Sequence, residues 1–303
     1  MIKYIKGHYI KSILFIFILL VIIFIFINIY NQFGNDFELP DNSVIFEASD
    51  TKYCHFSIDD SIDVFEDLTE NEYSSIFEQP ILLFFKQLHD KYDITVSFYV
   101  FYSWDISKNR FNLSQSTDKF KDEFENNSSW LKFGFHAKDA PAYEYLNANI
   151  EEEYYNKTVN ELERIVGKKS IDYFVRLDRY VADKETVHIL KSSGCRGLLI
   201  APDKKRESYA LTQQEKNMCY KSDWYVDNCG MRYTPTDVQV EHIKSDSEFY
   251  ETILSFSHQP RVEIFTHEWV FGDDNSDDNV KKYMKWYAYT MKQNNVEFSF
   301  SRD

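Results

Sequence analysis

The stretch Lys52-Tyr53-Cys54-His55-Phe56-Ser57-Ile58-Asp59-Asp60-Ser61 decides the fold. Residues Lys52 to Ile58 read as a strand, and two adjacent carboxylates stand where it ends. The same arrangement recurs downstream. Leu131 to Phe135 is a short strand followed by His136, and Ile171 to Leu177 carries Arg176 at its end. Val262 to Thr266 is followed by His267 and Glu268. Helical patterns alternate with these strands. Ile76 to Lys91 has Ile81, Leu82, Phe84, Phe85 and Leu88 on one face, and Ile150 to Val166 stops at Gly167. Ser116 to Glu125, Lys184 to Lys191, Asp246 to Phe256 and Asp277 to Asn294 complete the predicted helices. Ile94 to Phe101, Gly197 to Ala201, Val238 to Ile243 and Val296 to Phe300 complete the strands, while Lys204 to Thr236 reads as an irregular polar insertion. Strand–helix alternation over about 260 residues predicts a parallel α/β fold, and a closed (β/α) barrel fits the strand count. In such a barrel every strand opens its C-terminal end on one face, so the polar groups above converge on one mouth.

Composition narrows the function. The 303 residues carry 34 Lys and Arg against 49 Asp and Glu, a net charge of −15. That excludes a protein built to bind nucleic acid, which needs basic surface for phosphates. With 44% hydrophobic and 17% aromatic residues the chain is expected to fold. Four cysteines are too few for a disulfide scaffold, and none forms a CxxC pair; Cys219 and Cys229 could bridge the irregular insertion outside the cell. No GxGxxG, GxxxxGK[ST] or GxSxG motif occurs, so nucleotide and serine-hydrolase readings lack support.

The N-terminus is of another kind. Ile10 to Tyr30 is almost wholly apolar, and Ile13 to Ile27 has no polar side chain. About 20 apolar residues span a hydrocarbon core of about 30 Å. Lys3, Lys6 and Lys11 precede the segment and Asp36 and Glu38 follow it, so the N-terminus is expected in the cytoplasm and the remainder outside. No small-x-small cleavage site follows Ile27, which favours an uncleaved anchor over a signal peptide. The expected organisation is a basic flank and transmembrane anchor over 1–35, a tether over 36–50, and one domain over 51–303. Without the three flanking lysines the charge goes from −15 to −18, a surface that disfavours anionic partners.

Each candidate residue also has a plain structural role open to it. Asp59, Asp60 and Ser61 are all good helix caps. His136 follows the apolar run Phe133-Gly134-Phe135, where a histidine is often structural; beside Asp60 it would supply an O,N pair suited to zinc or another divalent metal. His55 lies inside the first strand and reads as structural. Tyr143, Tyr180 and Trp269 can stack on sugars or simply pack.

These residues together resemble the polysaccharide deacetylase family, carbohydrate esterase family four, over roughly Lys52 to Phe300. Ser57-Ile58-Asp59-Asp60-Ser61 resembles its Thr-Phe-Asp-Asp-Gly motif. Phe133-Gly134-Phe135-His136 resembles the second motif, Phe174-Val175-Arg176-Leu177 the third, and Val262 to His267 the last. The resemblance implies a distorted seven-stranded barrel, with Asp59 as general base, Arg176 orienting it and His267 as the catalytic imidazole. It implies a divalent metal, zinc first, on Asp60 and His136. The family's second histidine falls at Ala140, so Asp139 or His267 is expected to complete the metal site. Ser61 replaces the motif-one glycine, and Asp178 stands where the third motif usually has proline.

The implied function is a membrane-anchored, extracytoplasmic, metal-dependent carbohydrate deacetylase acting on a surface polysaccharide. The incomplete second motif keeps open a glycan-binding or surface-assembly protein on the same fold. A glycoside hydrolase using two carboxylates, such as Asp59 and Glu268, is a third reading.

Overall fold

The computed structural model describes residues 39–40, 44–46, 50–140, 147–272 and 277–301. The apolar segment expected to anchor the chain lies outside them. Among the described residues no helix is long and apolar enough to cross a membrane.

The first strand, β1 (Tyr53–Ser61), is the hub. It pairs in parallel with β2 (Val96–Phe101) on one side and β9 (Arg261–His267) on the other. β2 pairs in turn with β3 (Leu131–Ala137). A second sheet runs through β4 (Phe174–Val175), β5 (Gly197–Ile200), β7 (Arg232–Pro235) and the antiparallel edge strand β6 (Tyr225–Val226). Two seams join the sheets. At the first, Phe133 bridges Ile171 in parallel and the Asp172 N–H donates to the Phe133 carbonyl at 2.8 Å. At the second, Thr236 N–H donates to Ile200 of β5 and Asp237 N–H donates to Glu263 of β9. β8 (Val238–Gln239) then continues beside β9. The segment 232–239 is thus one strand position handed from one sheet to the other, and the ring has seven parallel positions. β10 (Glu297–Phe298) adds in parallel beside the start of β1, outside the ring.

Gly134 makes the first seam possible. A Cβ there would lie 2.9 Å from the Asp172 carbonyl oxygen and 3.1 Å from the Val175 side chain. Only a residue without Cβ lets β3 and β4 approach so closely.

Helices cover the outside. α1 (Asp63–Glu70) follows β1 directly, and α2 (Pro80–Tyr92) begins with Pro80 and is capped by the Gln79 side chain on Ile81 and Leu82 N–H. α3 (Lys121–Asn126), α4 (Ala148–Ile165), α5 (Lys184–Ser192), α6 (Gln213–Ser222), α7 (Asp246–Ser255) and α8 (Asp278–Gln293) complete the set. Asn147, Asp183, Thr212 and Ser245 each cap the N-terminus of the helix they precede.

The structure corrects the sequence reading between Lys204 and Thr236. That stretch holds helix α6 and the barrel strand β7 rather than irregular chain. β7 is short, ends in proline, and turns threonines inward, so it lacks the apolar run that marks a buried strand. The four cysteines stand unbridged: Cys219 Sγ donates to the Tyr233 carbonyl, and Cys229 Sγ to Asp227.

Candidate active site

The two aspartates after Ile58 reach the mouth together because the strand is irregular there. In a regular strand neighbouring side chains point to opposite faces. Here β1 takes three steps from Ile58 to Ser61 while β2 takes two from Phe98 to Val100. The extra residue forms a bulge, and Asp60 sits at φ 58°. An aspartate tolerates this left-handed conformation better than most side chains. The bulge therefore aims both carboxylates into the opening.

Asp59 is almost fully buried and bound to Arg176, whose Nη1 donates to its Oδ1 at 2.7 Å. Nη1 also donates to Ser57 Oγ at 2.9 Å, and Nη2 to Thr236 Oγ1 at 3.2 Å. The guanidinium lies over the Phe265 ring at 4.2 Å. Burial disfavours its charge, but Asp59 more than compensates and holds the guanidinium protonated. Arg176 therefore orients Asp59 and keeps a positive charge beside it.

The Arg176 carbonyl fixes a second group. His136 Nδ1 donates to it at 2.5 Å, which turns Nε2 toward Asp60 Oδ1 at 3.2 Å. Burial would lower the His136 pKa, but Asp59 and Asp60 reverse that and raise it to about 9. Asp60 feels the reciprocal effect. Burial pushes its carboxyl up, yet the hydrogen bond and charge of His136 bring it below the ordinary value. A cation in this place would replace the proton between them.

A third donor completes the group. Asp60, His136 and Asp178 each offer a ligand atom, all within 4.8 Å of one another. Asp178 stands in the turn after β4, where Arg179 and Tyr180 both take left-handed backbone at φ 53° and 62°. Burial, and then the charge of Asp60, raise its carboxyl above the usual range although His136 opposes this. Crowded carboxylates around an imidazole Nε2 are a donor set suited to a divalent cation. The sequence reading placed Asp139 or His267 in this third position. Asp139 instead turns its Oδ2 toward Ile106 N–H at 3.4 Å and Lys138 Nζ at 3.8 Å. It follows β3 on a loop that leads away from the group.

His267 serves elsewhere in the mouth. Its Nδ1 donates to Glu241 Oε1 at 2.7 Å, and its backbone N–H donates to the same oxygen at 2.9 Å. Burial lowers the imidazole pKa, but Glu241 and Asp59 overcome it and raise it. Sequence reasoning missed Glu241: Val238 to Ile243 reads as a strand, but only Val238–Gln239 is one, and Glu241 lies in the 3₁₀ turn Val240–His242 that follows. A cavity of about 190 Å³ opens between these groups, lined by Asp59, His136, Arg176, Asp178 and His267. Trp269 is 42% exposed and stacks on His267 at 5.6 Å, whereas Tyr180 is buried. Tyr143 lies outside the described residues.

Glu268 takes no part. It is 1% exposed, and its carboxylate accepts the N–H groups of Ile62, Asp63 and Val64 at 2.7, 2.7 and 3.0 Å. It caps the N-terminus of α1.

No family model matches the sequence, and none of the curated proteins does. Solved structures do. Structural neighbours include polysaccharide deacetylases of carbohydrate esterase family four. A 4-alpha-glucanotransferase from Thermococcus litoralis superposes with a TM-score of 0.52 and 14% identity. The match covers 82% of this chain and 39% of that enzyme, so the chain spans well under half of its length. The Bc1960 peptidoglycan N-acetylglucosamine deacetylase gives 0.46 and 14%, covering 85% and 90%. A family 4 acetyl xylan esterase from Clostridium thermocellum, solved with a cobalt ion, gives 0.36 and 12%, covering 70% and 88%. At these identities the likeness speaks for the fold, and function rests on the residues at the mouth.

Proposed function

We propose that this chain is a metal-dependent deacetylase of carbohydrates. One observation carries the reading: a possible cation site, an arginine-held carboxylate and a carboxylate-held imidazole share one cavity. Asp60, His136 and Asp178 would hold a divalent cation; zinc fits two oxygens and one nitrogen, and so do cobalt and manganese. Such an ion, when bound, polarises an acyl carbonyl and acidifies a water. Asp59 accepts the proton of the attacking water, and Arg176 holds Asp59 in place through its 2.7 Å contact. His267, oriented by Glu241, donates a proton to the leaving oxygen or nitrogen of the sugar. Acetate and a deacetylated sugar result. Trp269 offers an exposed ring on which the sugar can rest.

The missing second histidine favoured a non-catalytic glycan binder, but Asp178 supplies a third donor in its place. The carboxylate pair named for the glycoside hydrolase reading, Asp59 and Glu268, does not form, because Glu268 is consumed as a helix cap. The apolar segment Ile10 to Tyr30 supports a single-pass anchor with the domain outside the cell, on a surface polysaccharide. Protease protection of the full chain in sealed vesicles tests that placement.

The chemistry is tested on the full chain in detergent. Metal content and acetate release from acetylated oligosaccharides are measured for wild type and Asp60→Ala. Both are expected to fall together. Unchanged metal and acetate in the variant would sink the assigned site, and bound metal with no acetate release would return the binding-protein reading.

A further inference from the structure

Although the chain as a whole is acidic, the cavity is bordered by a cation that the proposed chemistry does not use, Arg206. The net charge is −15, yet Lys204, Lys205 and Arg206 form a run of three cations just after β5. Arg206 lines the same cavity as Asp59, His136 and His267, and so does Arg179.

Both arginines are placed by rigid features. Arg206 lies with its guanidinium 4.8 Å from the Tyr180 ring centroid. That ring is buried, packs edge-on against Tyr209 at 6.4 Å, and has its carbonyl bound by Tyr209 N–H. The Arg206 carbonyl accepts from Lys216 Nζ at 2.9 Å, and Lys216 is itself buried. Its N–H donates to the Asp203 carbonyl at 2.9 Å, so the loop is tied at both ends of the residue. A guanidinium that lies over an aromatic ring still has N–H donors to offer a planar or tetrahedral anion. Arg179 occupies the left-handed turn after β4. Its Nε is 3.7 Å from Asp178, and 46% of its side chain is exposed.

The proposed chemistry does not need Arg206. Arg176 already matches Asp59, and His267 matches Glu241. The negative remainder of the surface does not cancel the effect, because exposed charges are screened beyond about 8 Å at physiological salt. Local charge at the rim therefore decides which substrates enter.

We propose that the substrate is an anionic acetylated glycan, whose carboxylate or phosphate group binds Arg206 while the acetyl group enters the cavity. This inference rests on the deacetylase reading and names its substrate class.

The test uses the full chain in detergent with three acetylated oligosaccharides of matched length: neutral, uronate-bearing and phosphate-bearing. One anionic class is expected to exceed the neutral one by about tenfold or more in kcat/KM, an advantage that shrinks as salt rises. The class that gains identifies the anion. Arg206→Ala is expected to bring the anionic-to-neutral ratio toward one, and Arg206→Lys to keep part of it and its salt dependence. No anionic preference in wild type, or a preference untouched by Arg206→Ala, overturns the proposal. Equilibrium binding of the corresponding unacetylated oligosaccharides gives a readout independent of turnover. Anion binding lost in Arg206→Ala without acetate release from any substrate would sustain this inference while the deacetylase reading failed. Acetate release with no anion binding would do the reverse.

Discussion

Among the described residues the barrel holds two imidazole–carboxylate clusters, one at each end of β1, and of the two only the mouth cluster has an imidazole bordering a cavity. At the base, His55 Nδ1 meets Glu263 Oε2 at 2.7 Å and His55 Nε2 meets Ser97 Oγ at 3.0 Å. Ser97 donates to Asp172 at 2.5 Å and Ser301 donates to Glu263 at 2.5 Å. His55, Ser97 and Glu263 are all 0% exposed. At the mouth, His136 meets Asp60 at 3.2 Å and His267 meets Glu241 at 2.7 Å, around a cavity. The residue types are the same, and His55, Ser57 and Asp59 follow one another on the inward face of one strand by the period of two. Access separates them. At the base His55, Ser97 and Glu263 are sealed and hold strands together, while their outer partners Asp172 and Ser301 border a separate cavity of about 420 Å³. The mouth network has been opened by a bulge and by a turn with two left-handed residues.

Several outcomes would break or sharpen that contrast. The largest effect is expected at the mouth. Asp59→Asn should lower kcat/KM for acetate release by about a thousandfold, within the range for loss of a general base. It also leaves the buried Arg176 guanidinium without its counter-charge, so the thermal midpoint is expected to fall as well; full turnover in the folded variant would remove Asp59 from the chemistry.

The base should behave in the opposite way. His55→Ala leaves Glu263 buried without its partner and is expected to cost about 3–5 kcal/mol in denaturant unfolding. The protein that remains folded at low temperature should turn over within a few fold of wild type. Full stability with lost turnover would mean that the base takes part in the chemistry.

Metal affinity gives a finer comparison within the mouth. Asp178→Asn is expected to weaken divalent metal binding by about a hundredfold, while Asp139→Asn leaves it near wild type. Metal titration followed by equilibrium dialysis distinguishes them, and the reverse order would restore the second-motif ligand.

The base network also predicts a pH dependence. Burial raises the Glu263 carboxyl, but His55, Arg261 and Ser301 more than reverse this and hold it below its ordinary 4.5. A depressed carboxyl contributes stability above its unfolded value and loses it as the pH falls through the folded one. The stability gap between wild type and Glu263→Gln should therefore be flat from pH 8 to about 5 and shrink below about 4.5. A gap that widened in acid would reverse the sign. The smallest effect belongs to Glu268→Gln, expected to cost about 1 kcal/mol through the α1 terminus. It should leave acetate release intact; a large loss of turnover would revive the two-carboxylate reading.

Legibility followed the range of the interaction. Asp59, Asp60, His136, Arg176 and His267 could be picked out because each ends a strand whose own pattern is local. The end of α4 at Gly167 was legible for the same reason, whereas the start of α2 at Pro80 lies four residues beyond the Ile76 expected from pattern. Asp178 was noticed only as a departure from proline, since its use depends on a turn with two non-glycine residues at positive φ. Glu241 has no local mark, and its partner stands 26 residues away. Glu268, beside His267, was open to a catalytic role until its three N–H partners, more than 200 residues back in the chain, came into view.

Residue order alone settled the alternation of strands and helices, the overall negative charge and which side chains stand at strand ends, because periodicity and capping act over a few residues. Ring closure through Gly134, the pairing of Asp60 and His136 with Asp178, and the sealing of His55 against the opening of His136 emerged only on folding. Those depend on distances between remote segments and on where water is excluded, and neither quantity is written in any short stretch of chain.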